Sequence, residues 1–270
     1  MKTDSTQLPR IDKDKFVTDT TLMFVKFGDY LLTIEETLEH LKRSGLNSVM
    51  TSFGSSGRLT SHGAKLLFNA HRKRFDNDMS KFCRYSAVTT LYSLLEMRTQ
   101  AFAADFERTY PNKPKFRTVA ARKTKRSNGY VATLRRWLGA SPKSVKISPR
   151  IWNQLHDLQR LRNYITHSYG EGSLLRKKAA RATKKIIRRT RGVHIDFKGV
   201  LILDAKFALQ ALERVGHFFS LLFRAAGYGM TMPPGYLEMR QKNFHGFEKE
   251  LADGIAAYKM RQKINLGGSL

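Results

Sequence analysis

Three side chains that could act together in catalysis lie in one short segment of the sequence, at Arg162, Asn163 and His167. The segment has apolar residues at helical spacing, and Ser148 followed by Pro149 is a typical helix start. This spacing predicts that Asn163 and His167 lie on the polar face of a helix. Arg162 falls on the apolar face, where a guanidinium needs a partner.

These side-chain types suit the cleavage of a ribose-linked phosphodiester. An imidazole titrates near neutral pH, so His167 can take the proton of an RNA 2′-hydroxyl that attacks the neighbouring phosphate. A fixed guanidinium such as Arg162 stabilises the charge that develops on the phosphate oxygens. Asn163 can orient the imidazole or a phosphate oxygen. This chemistry uses neither a metal ion nor another cofactor, although the spacing alone favours a purely structural role for these residues.

The order of these residues resembles a family signature. An arginine, a polar residue, three further residues, a histidine, any residue and a tyrosine are similar to the motif of HEPN-domain ribonucleases. The ending His-x-Tyr resembles HEPN toxins that are paired with a nucleotidyltransferase antitoxin. The resemblance covers one helix closely and residues 80–230 loosely. It implies an all-α, HEPN-like antiparallel bundle and a metal-independent endoribonuclease of the toxin or antiviral-defence type.

The same resemblance implies two further site residues. Leu94-Leu95-Glu96 is similar to the part of a HEPN helix in which an acidic residue follows apolar positions, so Glu96 is the candidate partner of Arg162. By spacing alone, Glu96 would be a solvated charge. Tyr169 matches the tyrosine that the antitoxin adenylylates to block the nuclease. Whether this chain has such an antitoxin or another regulatory partner stays open, because its long basic segment departs from the smaller family members.

The predicted helix separates the two candidate catalytic groups. Arg162 and His167 are five residues apart, which corresponds to about 140° around an ideal helix. One motif therefore converges poorly on one phosphate. A homodimer or higher homo-oligomer would let two copies of the motif meet across a two-fold interface, an arrangement that the family resemblance also implies.

The net charge of +27 is concentrated in one part of the chain. Residues 111–192 carry 23 Lys and Arg against 2 Asp and Glu, so this segment alone has a net charge of +21. Because it brackets the candidate site, we expect it to bind a polyanion such as RNA. It comprises a basic insertion at residues 111–147 and a basic helix at residues 174–192. The candidate nucleic-acid-binding residues are Arg122, Lys123, Lys125, Arg126, Arg135, Arg136, Arg176, Lys177, Lys178, Arg181, Lys184, Lys185, Arg188 and Arg189.

The remaining composition is typical of a globular protein, with 41% hydrophobic and 26% charged residues. No segment is apolar enough to span a bilayer, and residues 1–15 do not resemble a signal peptide, so we expect a cytoplasmic protein without a membrane partner. The single cysteine, Cys83, excludes an internal disulfide. The scattered histidines and the lack of a cysteine pair predict no metal site.

Three segments are predicted along the chain. Residues 1–62 comprise a helix over residues 20–44, which ends at Gly45, and a Ser/Gly-rich linker. Residues 63–230 form the HEPN-like domain, with a long helical region interrupted near residues 76–78, a short hairpin at Lys198-Gly199, and an apolar helix after Asp204. Residues 231–270 form a C-terminal helix and tail.

Two other functions fit the sequence. A non-catalytic RNA- or DNA-binding protein would use residues 111–192 to coat phosphates. A helical interaction module would carry the motif without using it in catalysis. Tyr130 and Trp137 illustrate the ambiguity, because their rings could stack on bases or could anchor the basic insertion to the core.

Overall fold

The computed structural model describes residues 13–56, 61–111, 114–121, 130–140, 147–171 and 186–228. The helices are α1 (Lys13–Ser56), α2 (Ser61–Lys73), α3 (Ser80–Thr109), α4 (Phe116–Ala121), α5 (Tyr130–Gly139), α6 (Pro149–Ser168) and α7 (Ala205–Ala226), and a hairpin consists of β1 (Val193–Ile195) and β2 (Leu201–Leu203). The predicted all-α class is therefore confirmed. None of the helices described is both long and apolar enough to cross a membrane.

The long helices α1, α3, α6 and α7 pack as a bundle in which consecutive members alternate in direction. Phe16 near the start of α1 meets Phe223 near the end of α7, at 5.8 Å between ring centres. Trp152 near the start of α6 likewise meets Phe218 of α7, at 5.6 Å. Because α7 presents an almost continuous apolar face, including the fully buried Val215, it forms the centre of the core.

Two arginines of α3 connect this helix to its neighbours. The Arg84 guanidinium donates to both carboxylate oxygens of Glu35 on α1, at 2.8 and 2.7 Å, and to the Leu203 carbonyl on β2, at 3.0 Å. Arg98, near the other end of α3, donates to the Thr20 hydroxyl at 3.0 Å. Such paired arginines fix how α1 and α3 align, because a slip would leave a half-buried charge without its partner.

The first helix is longer at both ends than the sequence predicts. It begins at Lys13 rather than near residue 20, because Phe16 contributes to the core. It also continues to Ser56, so the predicted stop at Gly45 and the linker that should follow it are wrong in this part. Gly45 lies against His71 of α2, and a Cβ atom there would overlap the imidazole. This glycine therefore allows two helices to approach closely and does not end one.

The helical region that follows is interrupted where the sequence predicts it. A π-helical turn, Arg74–Met79, separates α2 from α3. The Ser80 hydroxyl donates to the Phe75 carbonyl at 2.7 Å across this turn. Asp76 accepts a hydrogen bond from Lys42 of α1 at 2.6 Å, so the turn is also tied to the first helix.

The described part of the basic insertion packs around Trp137. Its indole is buried, donates to the Pro114 carbonyl at 2.9 Å, and packs edge-to-face on Phe116 of α4 at 5.6 Å. Tyr130 is half-buried and donates to the Glu96 carbonyl at 3.1 Å. Of the two roles open to Trp137, anchoring the insertion is therefore confirmed and base stacking is wrong.

Two predicted elements lie partly or wholly outside the residues that the structure describes. The basic helix at residues 174–192 is described only from residue 186, and residues 186–189 are helical. The predicted C-terminal helix lies outside the described residues, and the three-segment division remains a prediction.

Candidate functional site

Helix α6 begins where the sequence predicts, after Ser148 in an extended conformation and with Pro149 in its first turn. No hydrogen bond from the Ser148 side chain caps it. Leu155, Leu158 and Ile165 are buried on one side of the helix, and half-buried Arg162 lies within the same arc. The arginine therefore points toward the bundle rather than toward solvent.

Arg162 is held by an aromatic ring and an amide. Its guanidinium carbon lies 5.7 Å from the ring centre of Tyr92 on α3, within cation–π range. Its Nη1 donates to the Asn163 side-chain oxygen at 3.1 Å. Its Nε is buried, and no side chain or backbone atom among the described residues accepts its hydrogen bond. The guanidinium thus keeps donor capacity beyond what the described chain uses.

Glu96 lies one turn after Tyr92 on α3, close enough for its charge to interact with that of Arg162. Burial raises the pKa of the Glu96 carboxyl, and the nearby Arg162 charge and Tyr92 hydroxyl lower it in part. The Tyr92 hydroxyl is buried and makes no hydrogen bond of ordinary length within the described part of the chain. The charge of Glu96 therefore interacts with that of its candidate partner Arg162, without an ion pair between the two side chains in the described part of the chain.

His167 lies on a different side of α6. It is exposed in the last helical turn, about 140° around the axis from Arg162 by ideal helix geometry. The same exposed side carries Arg160 and half-buried His156. Burial lowers the pKa of His156, and the charges of Arg160 and of Arg135 on α5 lower it further. We call Arg135, His156 and Arg160 the α5–α6 basic surface, and His167 continues it toward the helix end.

The structure therefore brings together only part of the predicted motif. Arg162, Asn163 and Glu96 form one cluster with Tyr92, whereas His167 faces solvent beside the α5–α6 basic surface. Asn163 lies between the two groups on the helix, but its side-chain oxygen accepts from Arg162. In one chain, Asn163 thus orients the guanidinium rather than the imidazole.

The end of α6 is fixed to the hairpin through backbone contacts. Tyr169, which is 73% exposed, adopts a left-handed conformation with φ 50°, and Gly170 follows with φ 75°. The Gly170 carbonyl accepts from the Leu201 amide at 2.8 Å, and the Leu201 carbonyl accepts from the Tyr85 hydroxyl at 2.6 Å. Tyr164 of α6 also donates to the Gly199 carbonyl, at 3.3 Å. The hairpin is therefore built onto the helix end that carries His167.

The predicted nucleic-acid-binding residues differ in their surroundings. Arg135 and Arg188 are exposed, and half-buried Arg136 donates to Thr133 on its own helix at 3.4 Å. Arg189 forms an ion pair with Asp157 of α6, so its charge is already matched within the chain. The others lie outside the described residues: Arg122, Lys123, Lys125, Arg126, Arg176, Lys177, Lys178, Arg181, Lys184 and Lys185.

The outward face of α3 is exposed, and its own side chains are uncharged, although the Lys81 ammonium lies 5.2 Å from the ring centre of Phe82 at one end. Its members recur every three or four residues along the helix and are Phe82, Ser86, Thr90, Ser93, Met97, Gln100 and Ala104. Exposed helix faces usually carry charged residues, and this chain is 26% charged. Glu96 lies beside this uncharged α3 face, one turn from both Ser93 and Gln100. The face is therefore suited to packing against another protein surface.

Two residues of the site were not predicted from the sequence. Tyr92 could have been suspected from its spacing, because it lies four residues before Glu96 on the same helix. Arg160 lies on the predicted polar face of α6 but was not assigned a role. Among the residues that the structure describes, no three His, Cys, Asp or Glu side chains cluster as metal ligands would.

Comparison with known proteins identifies no relative of this chain. No protein-family model, curated protein or solved structure matches the chain.

Proposed function

We propose that this chain is a metal-independent endoribonuclease of the HEPN type. The observation that carries the proposal is the asymmetry of α6. One side of the helix holds the half-buried Arg162 guanidinium against the Tyr92 ring, with the Glu96 charge nearby. Another side exposes His167 beside the α5–α6 basic surface. An anchored cation and an accessible imidazole are the two groups that phosphodiester cleavage by a 2′-hydroxyl requires.

In the proposed reaction, His167 accepts the proton of the 2′-hydroxyl while the 2′-oxygen forms a bond to phosphorus. The bond between phosphorus and the 5′-oxygen breaks, and the leaving oxygen takes a proton from water or from the imidazolium. The products are a 2′,3′-cyclic phosphate and a 5′-hydroxyl. Arg162 donates hydrogen bonds to the phosphate oxygens as their charge develops, and Asn163 and Tyr92 hold its guanidinium in place.

The active form in this proposal is a homodimer. Arg162 and His167 diverge on α6, so a single chain cannot focus both on one phosphate. The uncharged α3 face supports a two-fold contact, because two copies of a protein with net charge +27 repel each other unless the contacting surfaces lack charge. Glu96 borders that face and its charge interacts with that of Arg162, so a two-fold contact there would bring two copies of the site close to each other.

The decisive experiment incubates the purified full-length protein with end-labelled single-stranded RNA in EDTA. We expect cleavage that leaves cyclic phosphate ends, and we expect His167→Ala and Arg162→Lys to lose it while remaining folded and bound to RNA. The lysine variant keeps the charge but lacks the planar fork. His217→Ala, which changes an exposed histidine of α7, is the matched control and should cleave normally. Cleavage that needs a divalent ion, or that survives in His167→Ala, would refute the proposal.

The second candidate is a non-catalytic RNA- or DNA-binding protein. It is favoured by the concentration of charge in residues 111–192 and by the exposed basic side chains around His167. The same incubation separates the two candidates. RNA that is bound but keeps its original ends supports the binding protein.

Regulation by a nucleotidyltransferase is a separate proposal that rests on Tyr169. Its side chain is exposed, so its hydroxyl is accessible to an enzyme that transfers AMP. In that reaction the tyrosine oxygen bonds to the α-phosphorus of ATP, pyrophosphate leaves, and the phenolic proton is released. Intact-mass measurement after co-expression with a neighbouring nucleotidyltransferase should show one adenylyl group on the wild type and none on Tyr169→Phe. An unmodified wild-type chain would contradict this form of regulation.

A further inference from the structure

The tip of the hairpin presents an aromatic ring almost entirely to solvent. Phe197 is 94% exposed, which is the highest exposure among the large hydrophobic side chains described. A phenylalanine in this position buries almost no apolar area, so it contributes little to the stability of the fold. The exposed position of this ring is therefore not explained by the stability of the fold.

The turn that carries Phe197 is held by the residues around it. The Asp196 carboxylate accepts from the backbone amides of Lys198 and Val200, at 2.9 and 2.8 Å. The Gly199 amide donates to the Asp196 carbonyl at 3.0 Å, and Gly199 has φ 82°, a conformation that favours glycine. None of these contacts uses the Phe197 side chain. The turn thus defines where the ring lies without depending on it.

The surroundings of this ring are basic. The Lys198 ammonium lies 5.6 Å from the ring centre of Phe197, and Arg188 and Arg191, just before the hairpin, are exposed. One exposed ring is too small an apolar area for a protein interface, which usually buries on the order of 1,000 Å². A ring with cations beside it is instead suited to a nucleic acid, because the ring stacks on a base while the cations neutralise phosphates.

The hairpin is also positioned relative to the candidate catalytic helix. Tyr164 and Gly170, on either side of His167 in the sequence, contact Gly199 and Leu201 of the hairpin. The ring therefore belongs to the same end of α6 as His167. A nucleic acid strand bound along the α5–α6 basic surface could continue past His167 to the hairpin tip.

We propose that Phe197, with Lys198 beside it, stacks on an unpaired base of single-stranded RNA. This inference rests on the proposed function, and it names the class of substrate. Bases in a duplex stack on each other and offer no free face, so the contact selects single-stranded segments or loops. Tyr169, another exposed aromatic at this end of α6, would lie along the same strand.

The test measures the tryptophan fluorescence of the full chain carrying Phe197→Trp and His167→Ala. The second substitution keeps the RNA intact during the measurement. The native tryptophans Trp137 and Trp152 are buried, so the new indole is the one accessible to solvent. We expect a single-stranded oligouridylate to quench it in EDTA. An abasic strand of equal length and a duplex RNA should leave it nearly unchanged. Quenching by the abasic strand to the same extent would overturn the proposal, because it would report phosphate binding alone.

Affinity measurements provide the second readout. In the His167→Ala background, Phe197→Ala should weaken binding of the single strand about tenfold, whereas Phe197→Tyr should keep it within about twofold. Tyr30→Ala, which removes an exposed ring of α1, is the matched control and should bind normally. Unchanged binding by Phe197→Ala, or no RNA binding by any form, would overturn the proposal. Quenching and affinity loss without cleavage by the wild type would instead retain base stacking and refute the nuclease.

Discussion

Arg162 shows how a single charged residue can be accommodated inside an apolar helix face. Its guanidinium has the Tyr92 ring on one side, the Asn163 amide beside it and the Glu96 charge nearby. A lysine would not reproduce this, because its compact charge lacks the flat surface that packs on a ring. The cluster keeps a cation half-buried near the protein surface, which is where a phosphate would need it.

The same cluster makes the stability of the protein depend on pH through Glu96. Burial raises the pKa of this carboxyl in the folded chain, whereas an unfolded glutamate titrates near about 4.3. Between these values the folded chain holds a proton that the unfolded chain has lost. Stability therefore falls as pH rises through that window, and the penalty remains at neutral pH.

Replacing Glu96 by glutamine should remove this penalty. We expect Glu96→Gln to stabilise the protein, so that its free energy of unfolding exceeds that of the wild type by more at pH 7.5 than at pH 4. Urea titrations at the two pH values measure this difference. Glu36→Gln, at an exposed position of α1, controls for the loss of one negative charge from a basic protein. If both variants show the same pH dependence, burial of Glu96 is not its cause.

At the scale of elements, the sequence predicted those helix ends and turns that depend on adjacent residues alone. Ser148 and Pro149 predicted the start of α6, and Lys198-Gly199 predicted the hairpin turn. The helix end predicted at Gly45 is wrong because the role of this glycine depends on His71, 26 residues away. A glycine that ends a helix and a glycine that allows a close contact look alike in a sequence.

The site itself was predictable only in part, for a similar reason. The position of Arg162 on an apolar face predicted that it needs a partner. The family resemblance indicated Glu96, 66 residues earlier, as that partner. Neither spacing nor composition revealed Tyr92, because its contact with Arg162 depends on how α3 packs against α6. The exposure of Phe197 was hidden too, since an apolar residue beside a strand pattern is ordinarily expected to be buried.

The junction between α6 and the hairpin gives a matched pair of glycine substitutions. Gly170 and Gly199 both have positive φ, but a Cβ at Gly170 would overlap the Tyr85 hydroxyl, whereas a Cβ at Gly199 meets nothing within 4 Å. Each alanine variant should lose about 1–2 kcal/mol from the left-handed conformation. Gly170→Ala should lose more, because Tyr85 must also move from Leu201. Equal losses, measured by thermal unfolding, would show that the contact with Tyr85 is unimportant.

Helix α3 gives the corresponding prediction for association. A lysine at the centre of the uncharged α3 face would place like charges opposite each other across a two-fold contact. We therefore expect Ser93→Lys to be a folded monomer without RNA cleavage activity, whereas the wild type should be a dimer. Ser44→Lys, which adds the same charge at an exposed position of α1, should remain dimeric. Light scattering of the three proteins measures the outcome, and a dimeric Ser93→Lys would locate the interface elsewhere.

For the whole molecule, the helical bundle stabilises the fold, whereas the distribution of charge concerns the attraction of RNA. The buried core of α1, α3, α6 and α7 holds the helices together, and the excess positive charge is concentrated in residues 111–192 rather than spread evenly. If the charge acted only through the net value of +27, any exposed lysine or arginine would contribute equally to the attraction of RNA. If it acts through a local surface, positions near His167 must contribute more.

The dependence of RNA binding on salt separates these two cases. For single strands the slope of log affinity against log salt changes by about 0.7 for each phosphate contact. Arg135→Gln combined with Arg160→Gln removes two charges of the α5–α6 basic surface, and should make the slope shallower by about 1.4. Lys26→Gln combined with Lys65→Gln removes the same charge from exposed positions of α1 and α2, and should leave the slope unchanged. A control pair that flattens the slope equally would mean that RNA responds to the net charge and that no particular surface guides it to His167.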